Sequence, residues 1–148
     1  MYNINHMENI ENKTVSDLEK KHAAMRVINF AFDEIEKKYG TGVEGGVNQK
    51  DYHNLAHTKN VVESAGKIAA LAIKNNKIRG TDVILAEVAA SLHDIEQNFG
   101  PGSNEKESAR IGEEEMVKTG AFSLGDIEKV KQMILSTVVS WDAGIMKQ

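Results

Sequence analysis

Val83 to Leu92 reads VILAEVAASL, and Glu87 is its one charged residue. A helix that is apolar on nearly every side has no face to offer water, so this run belongs at the centre of a bundle, wrapped by other helices. Thr81 supplies an N-cap for a helix beginning at Asp82. At its far end the helix delivers His93 and Asp94, where the partial negative charge of a helix C-terminus favours cations. The rest of the chain must supply the wrapping helices.

Working outward, Leu55 to Lys74 is periodic, and Val61, Val62, Ala65, Ile68, Ala69, Leu71, Ala72 and Ile73 form its expected buried stripe. Its alanines and Gly66 predict close helix packing. Ahead of it, Thr41 to Asp51 is a glycine-rich loop that leaves room for close approach near the histidines, without forming a phosphate-loop pattern. Ser16 and Glu19 form a capping box that opens a first helix running to about Tyr39, with Leu18, Ala24, Met25, Ile28, Phe32 and Ile35 as its inner positions. Downstream, Pro101-Gly102 marks a loop, and Asn104 with Glu107 caps a fourth helix carrying Ala109, Ile111, Met116 and Val117 inward. A fifth, capped by Asp126, carries Ile127, Val130, Ile134, Leu135 and Val138. About five helices with short connections make a compact all-α bundle. Residues 1–13 read as a polar tail and residues 14–148 as the domain.

The 148 residues suffice for a core without staples, and 18 basic against 22 acidic residues leave a formal charge of -4. That balance argues against a nucleic-acid surface. The absence of cysteine excludes disulfides and thiolate metal sites but leaves imidazole and carboxylate ligands open. No apolar run approaches the roughly 20 residues that span a bilayer, so the default expectation is a cytoplasmic protein. The apolar end of the last helix, Val138-Val139 with Trp141, offers a surface for a homodimer.

A lone histidine on a helix is usually a core or surface residue; here the combination matters. His53 and His57 are one turn apart, in the run YHNLAHTKNVV from Tyr52 to Val62, and His93-Asp94 ends a helix that otherwise avoids polarity. Burying two imidazoles and a carboxylate is costly unless something satisfies them, and a divalent ion does. The expected ligands are His57, His93 and Asp94. Nitrogen and oxygen donors together suit Zn, Mn, Fe, Co or Ni, and Mg less well. Such an ion lowers the pKa of a bound water and polarises a phosphoryl oxygen, while His53 is placed to protonate a leaving group. Glu96, two residues after Asp94, reads either as a group orienting water or a second ion, or as ordinary loop polarity. Lys59 and Lys106 reach a phosphate only if their helices border the pocket, and Glu87 is a candidate hydrogen-bond partner for His57.

Tyr52-His53-Asn54 followed by His57 and Val61-Val62, then His93-Asp94 and the segment NEKESA from Asn104 to Ala109, resembles the HD-domain superfamily of metal-dependent phosphohydrolases, in particular its small bacterial members. The resemblance covers roughly Ser16 to Val139. It implies an HD-like helical bundle that cleaves a phosphate ester, a nucleotide among the candidates, by metal-activated water. It makes His57, His93 and Asp94 metal ligands, Asp94 also part of the catalytic centre, His53 a general acid or phosphate contact, and Asn54 an orienting residue. The superfamily also implies a fourth ligand, an aspartate well downstream. Asp142 is the candidate, although its context SWDAG and its short distance from Thr137 depart from the pattern. Either it serves, or a C-terminal helix is missing and three protein ligands remain. The alternative function is a helical module that binds a metal or ligand without turnover.

Overall fold

The computed structural model describes residues 15–40 and 53–138, and among these the chain is entirely helical. Five helices follow one another: α1 (Asp17–Tyr39), α2 (Leu55–Lys74), α3 (Gly80–Leu92), α4 (Ser103–Thr119) and α5 (Leu124–Leu135). They form the expected compact bundle. The N-terminal tail, the glycine loop and Asp142 lie outside the described residues, as do Val139 and Trp141 of the expected dimer surface.

The nearly uncharged helix is central: α3 packs against each of the other four helices. Its Leu85, Val88 and Leu92 are fully buried, and Ile95 just beyond it continues the core. α1 contributes Ala23, Val27, Ala31, Ile35 and Tyr39, a row at steps of four that lies along one side of the helix. This corrects the expected stripe, because Leu18 and Met25 are exposed and the small Ala23 and Ala31 take the inner positions. Ala24 and Ile35 keep their expected inner places.

The stripe expected on α2 is only partly covered, with Val61, Val62, Ala65, Ala72 and Ile73 half-buried. Only Thr58 and Ala69 are buried, while Ile68 and Leu71 are 68% and 62% exposed. α2 rests mainly on α3, and at Gly66 an added Cβ would stand 2.5 Å from the Glu87 carboxylate. Glycine there lets the two helices meet around a charged side chain.

Capping explains where the helices start. Ser16 accepts the Glu19 N–H, and Glu19 accepts that of Ser16, as the sequence predicts. The other expected caps shift. Asp82 accepts the Arg79 N–H, Glu105 that of Gly102, and Asp126 that of Ser123, so α3, α4 and α5 begin at Gly80, Ser103 and Leu124. Thr81, Asn104 and Asp126 are therefore not the residues preceding their helices. At the other end of α4, Gly120 adopts φ 66°, a left-handed conformation that suits glycine, and its N–H bonds to Val117 O.

Candidate metal centre

The site is assembled where the start of α2 meets the end of α3. Asn54 caps α2: its Oδ1 accepts the His57 N–H at 3.1 Å, and the buried Thr58 hydroxyl donates to Asn54 O at 3.1 Å. This fixes the first turn, with His53 just before it and His57 within it. At the end of α3, His93 keeps helical dihedrals, which lets its Nδ1–H donate to Ala90 O at 2.7 Å. The other nitrogen, Nε2, is thereby turned toward the site.

Three imidazoles converge on one oxygen. Asp94 Oδ2 lies 2.8 Å from His53 Nδ1, 3.0 Å from His93 Nε2 and 3.6 Å from His57 Nε2. His53, His57 and Asp94 each offer an atom within 4.8 Å of the others, and His93 joins them through Asp94. The His53 side chain is 52% exposed, whereas those of His57, His93 and Asp94 lie between 14% and 19%.

The electrostatics follow from that crowding. Burial pushes the Asp94 carboxyl up, but its hydrogen bonds with His93 and His53 outweigh burial and hold it below the usual aspartate range. Burial also opposes charge on His93, yet the bond to Asp94 and the Ala90 carbonyl raise its pKa above the ordinary value. His57 is lowered, by burial first and then by its two imidazole neighbours, against the pull of Asp94.

A divalent cation bound here would take imidazole nitrogens and the Asp94 carboxylate as its donors. Donors bonded to one ion at about 2.1 Å lie about 3.0–3.4 Å apart; Asp94 Oδ2 stands 3.0 Å from His93 Nε2 and, slightly wider, 3.6 Å from His57 Nε2. His and Asp donors without thiolate are suited to the borderline divalent metals. The cluster is able to coordinate a metal ion.

Loop residues after Asp94 hold the two halves together. The Gln97 side-chain amide donates to His53 O at 2.9 Å and to Asp94 O at 3.0 Å, joining backbones 41 positions apart in sequence. Beneath it, the fully buried Tyr39 hydroxyl accepts the Gln97 N–H at 3.0 Å and lies 3.3 Å from Glu96 Oε1. Burial, reinforced by Glu96, pushes the Tyr39 pKa up to about 12. Glu96 Oε1 also accepts the N–H groups of Gln97 and Asn98, at 2.8 and 2.9 Å, and its own N–H donates to buried Ser108 Oγ at 3.2 Å. Neither Gln97 nor Tyr39 stood out in the sequence.

The cluster opens into a cavity of about 770 Å³ between α2, α3 and α5. His53, His57, His93, Asp94 and Glu96 line it, but Lys59 does not: its Nζ lies 5.7 Å from the centre of the Phe32 ring on α1. Glu96 is a buried clamp on the loop backbone rather than a solvated loop residue. The Glu87 carboxylate stands against Gly66, nine residues along α2 from His57 and about 13 Å along the axis. That position does not support its expected partnership with His57. Among the described residues no helix is long and apolar enough to cross a membrane. No family model, curated protein or solved structure matches the chain.

Proposed function

We propose that this chain is a divalent-metal-binding helical domain, and that its metal serves to hydrolyse a small phosphate ester, in the manner of the HD superfamily that its motifs resemble. The observation that carries the reading is the convergence of His53, His57 and His93 on Asp94 Oδ2 at the mouth of a large cavity. A bound cation would supply a Lewis acid for the phosphoryl group and lower the pKa of a water. His57, His93 and Asp94 are the proposed holders of the ion.

The protein's own part is positioning and proton transfer. The Ala90 carbonyl holds the His93 ring so that Nε2 faces inward. Gln97 fixes His53 relative to Asp94. His53, the most exposed of the three clustered histidines, borders the cavity and is the proposed donor of a proton to the departing alkoxide.

A second reading, a metal- or ligand-binding module without turnover, draws on the same cluster, which accounts for metal binding without requiring a reaction. A hydrolysis screen over phosphomonoesters, nucleotides and cyclic nucleotides, with manganese, cobalt or nickel added, separates the two. The hydrolase reading predicts turnover, reduced at least about 100-fold in His53→Ala with metal content retained. Stoichiometric metal with no turnover of any substrate establishes the non-catalytic module instead. Loss of the ion from His53→Ala makes His53 a ligand rather than the proton donor.

A further inference from the structure

The cavity has a half that the metal cluster leaves unused. On α2, His57 is followed at steps of four by Val61 and Ala65, and on α3, His93 is preceded on the same side by Ala90 and Ala86. The two histidines lie at opposite ends of their own helices yet stand together, so α2 and α3 are antiparallel. The two rows therefore leave the imidazoles in the same direction, and both line the cavity. Met133 of α5 lines it as well.

At 1.5 Å per residue, the rows extend about 10–12 Å beyond the histidines. Ala86 and Ala90 are only half-buried, whereas Leu85 and Val88 on the same helix are fully buried. Alanine at these places leaves open a space that leucine would fill. The volume of about 770 Å³ is in the range that takes a whole small molecule, roughly 300–1,000 Å³. A cation with one phosphate group needs much less.

Charge is distributed unevenly along the cavity. Its carboxylates gather at the imidazole end: Asp94 in the cluster, Glu96 two residues on, and Glu105 close enough to act on His93. A bound cation would offset Asp94 for one phosphate; Glu96 Oε2 has Lys38 Nζ at 3.7 Å, so Glu105 is the carboxylate that additional phosphates would meet. Away from them the α2 and α3 rows present methyl groups; Met133 adds a thioether to the lining, and the Thr137 hydroxyl there donates to Ile134 O.

Resting on the phosphohydrolase reading above, we propose that the ester's organic part lies in this slot, and that the substrate class is a monophosphate of an apolar, narrow group up to about two fused rings long. The phosphate faces the cluster. The apolar group runs between α2 and α3 along Val61, Ala65, Ala90 and Ala86, where its burial favours it over a polyol of the same length.

Isothermal titration of the metal-loaded full chain with 1-naphthylphosphonate and with methylphosphonate tests this without requiring turnover. The expected result is at least about ten-fold tighter binding of the naphthyl compound. Ala86→Leu and Ala65→Leu, on opposite walls, should each bring the two affinities to within about two-fold while the metal is retained, because one added leucine fills the slot. Equal affinities in the unsubstituted protein would overturn the slot and leave the phosphate reading standing. A naphthyl preference that survives both substitutions in folded, metal-loaded protein would equally overturn it. If metal-loaded protein binds neither phosphonate, the phosphate reading falls as well.

Discussion

At the scale of single residues, the site depends on a few hydrogen bonds that fix backbones rather than on the ligands alone. Gln97 is the plainest case, since one amide spans His53 O and Asp94 O. Gln97→Leu keeps the side chain's approximate size and removes both bonds. Metal affinity, measured by titration with manganese, is expected to fall by about ten-fold or more while the helical circular-dichroism signal is unchanged. An unaltered affinity would show that the two strands of backbone are held by other means. His93 and Asp94 stand out in the sequence because they end a helix that otherwise avoids polarity, and His57 because it follows His53 by one turn. Gln97 and Tyr39 could not, because their bonds run mostly to backbone atoms remote in sequence, and such bonds leave no periodic or compositional trace.

At the scale of the helices, existence and type were legible and orientation was not. The apolar α3 announced its own central place, and the Ser16-Glu19 box marked the start of α1. The starts of α3, α4 and α5 lie two or more residues earlier than the sequence predicts, for a common reason. Asp82, Glu105 and Asp126 each reach back to the N–H of the residue preceding the helix, whereas the sequence reading placed caps elsewhere. On α2 apolar residues occur around most of the circumference, so its period does not select a buried side. Leu71→Lys on its outer surface is therefore expected to change unfolding free energy by less than about 0.5 kcal/mol. Leu85→Ala at the centre of α3 should cost about 2–5 kcal/mol. Urea unfolding of both variants checks the assignment, and a large loss from Leu71→Lys would restore the buried stripe expected on α2.

At the scale of the whole molecule, α3 sets the architecture and ion pairs tie outer helices to one another. Lys20 of α1 and Asp126 of α5 meet at 2.8 Å with both side chains mostly shielded. Burial raises the Asp126 pKa, but Lys20 and the Ser123 N–H outweigh it and hold the carboxyl below the usual value. Because the folded pKa is lower than that of the unfolded chain, this stabilisation is complete above the usual aspartate pKa of about 3.9 and is lost as pH falls through the folded value. Lys20→Met should cost about 1 kcal/mol at neutral pH. In urea melts the difference from the unsubstituted protein should shrink as the pH drops through the carboxylate range, and a difference independent of pH would mean that the pair contributes through packing. The same bundle brings His57 and Asp94 together from different helices, and the account stands or falls on that meeting place holding an ion. Metal content after equilibration with manganese and removal of excess tests it most directly. About one ion per chain is expected, lost in a folded Asp94→Ala variant; an unsubstituted protein that retains none, or a variant that retains as much, would contradict the metal site.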